Sequence, residues 1–172
     1  GGGKSIVTAI SPLTGAPIDS NVGGYFGPYK KFSGFDVIQV DGKASDDTIV
    51  LIDGIEGKIK VFHASDLPED AYELSKVLTH YFDDKKPVNV SVVTAGPGAA
   101  NTYFGCLNFS WWDAGRKMVR YKQAGRGGIG TVFADKKVKA VVARFGAISM
   151  KTNSPADLGA LKAVTKSHAK EI

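Results

Sequence analysis

An α+β fold is the class this sequence predicts, on three observations. Strand-like segments outnumber helical ones. Three of them, at 5–10, 35–42 and 47–65, follow one another before any long helical pattern. The first such pattern, from Glu69 to Phe82, carries apolar residues along one face, as a helix lying over a sheet requires.

The elements follow in order. SIVTAI (5–10) is rich in β-branched residues and is stopped by SPLTGAP (11–17), where Pro and Gly mark a tight turn. In NVGGYFGPYKKFSG (21–34) the glycines precede Pro28, which suits the first turn of a short helix carrying Tyr29 and Lys30, and Gly34 ends it. FDVIQVDG (35–42) alternates and closes on Asp-Gly, and DTIVLIDGIEGKIKVFHAS (47–65) reads as a hairpin around Gly54 to Gly57. These successive strands imply an antiparallel sheet. In the helix that follows Pro68, the expected buried face is Ala71, Leu74, Val77, Leu78 and Tyr81.

VNVSVVTAGPG (88–98) returns to strand and ends in a Gly-Pro-Gly turn, and NTYFGCLNFSWW (101–112) is an aromatic, strand-like stretch. Basic residues then lead to KQAGRGGIG (122–130). TVFADKK closes a short helical piece, VKAVVARFG (138–146) is a strand, and SPADLGALKAVTKSHAKEI is a terminal helix capped by Ser154.

Composition limits what these elements serve. The chain has 172 residues, 43% hydrophobic and 23% charged, which suits one ordinary domain with a real core. Lys and Arg outnumber Asp and Glu by 22 to 17, so an anionic partner is favoured without being demanded, and a merely soluble surface explains the excess equally well. The single cysteine, Cys106, excludes an internal disulfide and a cysteine-only metal or iron–sulfur site within this chain, and favours an intracellular, cytoplasmic setting. No apolar run reaches the roughly 20 residues of a membrane span, so no membrane partner is expected. GGGK is no signal sequence, and the lack of an initiating Met there points to a trimmed start.

The glycine-rich loop admits several readings. Gly125, Gly127 and Gly130 match G-x-G-x-x-G, but a dinucleotide site needs a buried parallel strand before it and an acidic residue about 20 positions after it. RKMVRYK (116–122) is too basic for the first, and ISMKTN near position 150 lacks the second. A phosphate nest fits better, because glycines let backbone N–H groups converge on an anion while a helix start adds its positive end. Arg126 and Lys122 supply formal charge, and NVGGYFG (21–27) repeats the construction. Two such loops face to face hold a ligand with two phosphates; each alone is also a plain turn.

SPLTG (11–15), NVGGYFG (21–27), FSGFDVIQVDGK (32–43) and AGRGGIGTV (124–132) followed by KKVKAVVA (136–143), in that order, resemble the N-terminal domain of the tungsten-containing aldehyde ferredoxin oxidoreductases. The resemblance spans residues 4 to 146. It implies two packed, mainly antiparallel β-sheets with a few short helices, forming a base on which a tungsten (or molybdenum) bis-pyranopterin sits. Residues 1–146 are then the pyranopterin-binding β-rich domain, without the family's first strands, and 147–172 a linker and helix leading toward a catalytic and iron–sulfur region not contained here. The cofactor's dithiolene sulfurs hold the metal, so no protein ligand to it is required.

Carried over by position, the resemblance implies cofactor contacts at Lys4, Asn21, Gly23, Lys122, Gln123, Gly125 and Arg126. It also implies a magnesium ion bridging the pterin phosphates through the backbone carbonyls of Asn21 and Gln123. Lys4 and Lys122 stand where the family has arginine and offer a compact charge in place of a planar fork. No catalytic residue is expected in this chain. The whole enzyme is expected to oxidise aldehydes to carboxylates, passing electrons through a [4Fe-4S] cluster outside this chain to ferredoxin. A relative that reduces an aromatic thioester, and a homo-oligomer, stay open, and the isolated chain is expected to expose apolar surface where other domains pack.

Two other classes compete. A single-stranded nucleic-acid module would use Arg116, Lys117, Arg120, Lys122 and Arg126 with Trp111, Trp112 and Tyr121 as stacking platforms, although the resemblance leaves no role for nucleic acid. A structural β-domain without cofactor would use the glycines only for bends. His63 and His80 have no ligand spacing, and Cys106 suits a small core position beside Phe104 and Leu107.

Overall fold

VSVVT, apolar or small at every position, needs cover on both faces of its sheet, and the computed structural model, which describes residues 3–148 and 155–171, supplies it. In chain order the described elements are β1 (Ser5–Ile10), β2 (Pro17–Val22), α1 (Phe26–Phe32), β3 (Thr48–Asp53), β4 (Lys58–His63), α2 (Ala71–Asp83), β5 (Val90–Thr94), β6 (Leu107–Asp113), β7 (Met118–Ala124), α3 (Ile129–Asp135), β8 (Val138–Arg144) and α4 (Leu158–His168). Short 3₁₀ turns occupy Pro87–Asn89 and Pro97–Asn101. The fold is α+β, with two mainly antiparallel sheets: a two-stranded one, β1-β2, and a six-stranded one in the order β4-β3-β8-β5-β6-β7. One pairing in the larger sheet, β3 with β8, is parallel.

The two-residue period of the central strands divides the core. Ile52, Val93, Val141 and Ala143 point to one face, where they meet Phe26 and Tyr29 of α1, Ile129 of α3 and Val22 of β2. Their neighbours Leu51, Val92, Ala140 and Val142 point to the other and meet Leu74 and Leu78 of α2. The small sheet, α1 and α3 thus share one face of the large sheet, and α2 lies on the opposite one.

Local chemistry explains the turns. At the β3–β4 hairpin, Asp53 Oδ1 accepts the amides of Ile55 and Glu56 at 3.1 and 3.3 Å. A Cβ on Gly54 would lie 2.6 Å from Ser33, so only glycine lets α1 approach there. Asp53 is fully buried, with Arg144 Nη2 at 2.6 Å and Lys60 Nζ at 3.4 Å. Burial alone raises a carboxyl pKa, but the hydrogen bond and charge of Arg144 and the two turn amides outweigh it and hold Asp53 below its usual range.

Several expectations need correction. FDVIQV joins no ladder; its Phe35, Ile38 and Val40 pack against the core while its backbone pairs with no strand. PIDSNV, of which only Pro17 falls in the expected turn and residues 18–20 are unassigned from sequence, is β2, since Pro17 sits where the strand starts and needs no ladder donor. In α2 the buried face is Ala71, Leu74, Ser75, Leu78 and Thr79, while Val77 and Tyr81 are exposed. Ser75 and Thr79 tolerate burial because their hydroxyls donate to the carbonyls of Ala71 and Ser75, each at 2.7 Å. The strand expected at 101–112 starts only at Leu107. The terminal helix is capped by Asp157, whose Oδ1 accepts the Ala160 amide at 2.9 Å; Ser154, expected as the cap, lies outside the described residues.

Candidate cofactor edge

The glycine-rich loop follows β7, an edge strand antiparallel to β6, so the parallel strand of a dinucleotide site is absent at this loop. Its four glycines differ in what they do. Gly127 and Gly128 have φ of +70° and +71°, and an added Cβ would meet Ile18 at 2.4 Å and the Tyr103 carbonyl at 2.1 Å respectively. A Cβ on Gly130 would lie 2.2 Å from the Cys106 carbonyl. These three are demanded by packing. Gly125 is not: a Cβ there meets nothing within 4 Å, and the same holds for Gly23 on the facing segment.

The two glycine segments lie side by side. The Arg126 amide donates to Ser20 Oγ at 3.2 Å, joining β2 to the end of β7. Ile18 fills the space over Gly127, and Gly24, with φ of +97°, lies against the Trp111 ring and the Lys122 stem. The β1–β2 ladder ends at the Ser5–Val22 pair, so Lys4 and Gly23 leave it together. The structure therefore brings Asn21, Gly23, Lys122, Gln123, Gly125 and Arg126 to one edge, with Lys4 at its end. Asn21, Lys122, Gln123, Gly125, Arg126 and Lys4 are exposed. Lys4, Lys122 and Arg126 have no carboxylate partner among the described residues. The Gln123 amide donates to Asn108 Oδ1 at 3.1 Å, and the Asn21 amide to Asp19 Oδ2 at 3.4 Å.

The contribution expected from the helix start is narrowed. At the α3 start the Gly130 amide donates to the Gly105 carbonyl at 2.9 Å, and the Thr131 and Val132 amides to the Gly128 carbonyl at 3.0 and 3.3 Å, so these amides are not free for an anion. Convergent charge and open backbone remain. Sequence reasoning also missed Ser20, a buried hydroxyl that fixes the two segments together; the one signal was a serine on the strand it failed to assign.

The aromatic residues proposed as nucleic-acid platforms are engaged elsewhere. Trp111 packs on Tyr25 with centroids 5.7 Å apart, Trp112 meets His80 edge-on at 5.2 Å, and Tyr121 meets Tyr72 edge-on at 4.6 Å. The Tyr121 hydroxyl donates to the Tyr72 carbonyl at 3.0 Å; burial, then the charges of Glu73 and Asp70, push its pKa up to about 12. Arg116 and Arg120 pair with Asp113 at 3.0 and 3.4 Å. Among the described residues, no group of three or more His, Cys, Asp and Glu could hold a metal ion. No described helix is long and apolar enough to cross a membrane.

Comparison with known proteins identifies a family over most of the chain. Residues 1–145 match the family described as "Aldehyde ferredoxin oxidoreductase, N-terminal domain". A tungsten-containing aldehyde ferredoxin oxidoreductase of Pyrococcus horikoshii is 33% identical over 144 residues, covering 83% of this chain and 22% of the relative. Its counterpart in Pyrococcus abyssi gives the same identity and coverage: 33%, 83% and 22%. The chain thus spans about a fifth of the length of these relatives. Among solved structures, the BamBC active-site complex of benzoyl coenzyme A reductase with 1,5-dienoyl-CoA is similar at 26% identity and a TM-score of 0.67, covering 83% of this chain and 20% of that chain.

Proposed function

Because the chain belongs to the aldehyde ferredoxin oxidoreductase N-terminal domain family, we propose that it is the cofactor-bearing domain of a tungsten oxidoreductase. Its exposed edge at Asn21, Gly23, Lys122, Gln123, Gly125 and Arg126, with Lys4 at the end, would receive the phosphate ends of a bis-pyranopterin. The observation that carries this reading is the pair Gly23 and Gly125. Neither has a positive φ or a neighbour within 4 Å of an added Cβ. Glycines that folding does not require, on adjoining segments beside unpaired cations, suit the close approach of an anion to backbone.

On this reading Lys4, Lys122 and Arg126 would bind and orient the anionic ends, and the carbonyls of Asn21 and Gln123 would hold a magnesium ion that offsets the phosphate charge. When bound, the cofactor supplies two-electron chemistry at its dithiolene-held tungsten or molybdenum; the chain supplies position and electrostatics. Aldehyde oxidation to a carboxylate, a [4Fe-4S] cluster and electron transfer to ferredoxin belong to polypeptide beyond these residues. Cys106 is the chain's one cysteine, against the four thiolates such a cluster takes.

The test is tungsten and pterin content per folded protein in material from the native host, with folding followed by circular dichroism. Gly125→Val adds bulk only toward open space, so it should fold and lose the cofactor. Arg126→Ala should weaken retention about ten- to a hundredfold, and Arg126→Lys less, because charge survives without the fork. Wild-type content in folded Gly125→Val excludes the phosphate edge. Equal loss of folding in all three variants reduces the glycines to bends.

A further inference from the structure

β2 alternates along its length: Ile18, Ser20 and Val22 turn inward, while Pro17, Asp19 and Asn21 are exposed. Ile18 and Val22 are apolar, as the inward face requires. Ser20 is not, yet it is 2% exposed, no more than Val22. A buried hydroxyl costs stability unless it is paired. Ser75 meets that need within its own helix, on the carbonyl four residues back, a recourse that a strand does not have. Ser20 meets it by accepting the Arg126 amide at 3.2 Å. Had packing been the only demand, a second valine would serve.

That contact crosses between sheets. β2 belongs to the two-stranded sheet and β7 to the six-stranded one, and no ladder joins them. Among the described residues it is the one hydrogen bond between segments 17–24 and 122–130. Ile18 fills the space over the next residue, Gly127. Two inward side chains of β2 thus fix consecutive positions of the glycine loop, Ile18 by shape and Ser20 by direction. The residues beside them face a ligand: Asn21 follows Ser20 directly, and Gln123 lies three positions before Arg126, both exposed.

We propose that Ser20 is a positioning residue of the phosphate edge: its hydroxyl sets the gap between the Asn21 and Gln123 backbones, and with it the hold on the magnesium ion. The inference rests on the cofactor reading above. Magnesium takes oxygen ligands near about 2.1 Å and tolerates little departure from octahedral geometry. Here its two carbonyls would come from different sheets. Ladder hydrogen bonds hold each sheet internally but not the gap between the two. The Ser20–Arg126 bond spans that gap, one residue from the first carbonyl and three from the second. Without the hydroxyl the fold keeps its ladders and its apolar packing while the gap loses its fastening, so metal retention falls before stability does. Ser20 is buried and acts through the backbone.

Variants of the full-length enzyme, prepared in the native host, test it by magnesium and tungsten content per folded protein and by deuterium uptake in peptides covering 122–130. Ser20→Ala removes the acceptor, and Ser20→Thr keeps it on a side chain suited to a strand. Thr79→Val gives up a buried hydroxyl on the opposite face of the large sheet and serves as the control. Ser20→Ala should fold, by circular dichroism, take up deuterium faster in 122–130, and hold about tenfold less of both metals, as one lost hydrogen bond allows. Ser20→Thr and Thr79→Val should retain both metals and leave 122–130 unchanged. Wild-type metal content in Ser20→Ala, an equal loss in folded Ser20→Thr or Thr79→Val, or metal loss in Ser20→Ala without faster uptake each overturns this inference alone. Absence of tungsten and pterin from the wild type overturns the cofactor reading and this inference with it.

Discussion

At the scale of single residues, Gly125 and Gly127, two positions apart, should respond oppositely to the same substitution. Gly127→Ala meets both a left-handed backbone and the Ile18 side chain, and should lose more than the roughly 1–2 kcal/mol that such a backbone costs an alanine. Gly125→Ala should change stability by less than about 0.5 kcal/mol, as open surface positions do. Urea midpoints of the two variants check both. Tyr29 offers a second residue-scale expectation. Its burial, and then the neighbouring Tyr25, push its pKa up to about 12, so the folded state keeps a proton that the unfolded chain releases near pH 10. Its stabilising share is therefore whole below about pH 10 and lost as pH rises toward about 12. A Tyr29→Phe variant should unfold less steeply over that range, in circular dichroism against pH, with Tyr121 contributing the residue of the slope.

Among the elements, α2 shows what periodicity conveys and what it omits. The helix was legible because Ala71, Leu74 and Leu78 recur at helical spacing after Pro68; the structure adds an Asp70 cap, whose Oδ1 accepts the Tyr72 and Glu73 amides at 2.9 and 3.0 Å. Its rotation was misread because Ser75 and Thr79 look polar in sequence, yet satisfy their hydroxyls within the helix and pass as small core residues. Leu74→Ala should cost about 2–5 kcal/mol and Val77→Ala little beyond helix propensity, by chemical denaturation. Strands were legible where cover on both faces made them apolar throughout, as in β5 and β8. They were not where pairing depends on distant partners: PIDSNV pairs without a strong β signature, and FDVIQV has the signature without a pair. The proposed cofactor edge was reached through the glycines and cations of two loops, 21–27 and 122–130, together with the family resemblance. Ser20 and the separation of structural from open glycines needed the packing of β2 against β7.

Across the whole molecule, the Asp53–Arg144 pair acts as a knot. Arg144 Nη1 donates to the Phe82 carbonyl at 2.9 Å, and its own carbonyl accepts from Ser33 Oγ at 3.1 Å and from the Gly54 amide at 2.7 Å. The ends of α1 and α2 and the neighbouring strands β3 and β8 meet at one buried charge. Asp53→Asn should destabilise by about 3–5 kcal/mol by leaving the guanidinium uncompensated. The depressed Asp53 pKa also makes its contribution present above the unfolded value near 3.9, lost as pH falls toward the lower folded value. Acid titration of wild type and variant, by fluorescence, should therefore converge at low pH.

The position of β8 between β3 and β5 bears on how the chain reaches this state. The last strand of the described sheet in sequence is at its centre, joined in parallel to β3 through a pairing of Thr48 with Val138. The β3–β4 and β6–β7 hairpins can close locally and early, but they remain separate halves until residues 138–144 arrive between them. Bringing such distant residues together costs loop-closure entropy before any contact repays it, which slows folding. On a ribosome, both halves emerge with open strand edges and wait for a keystone made last, so the interval before β8 appears is when this chain is most exposed to aggregation and most in need of a chaperone.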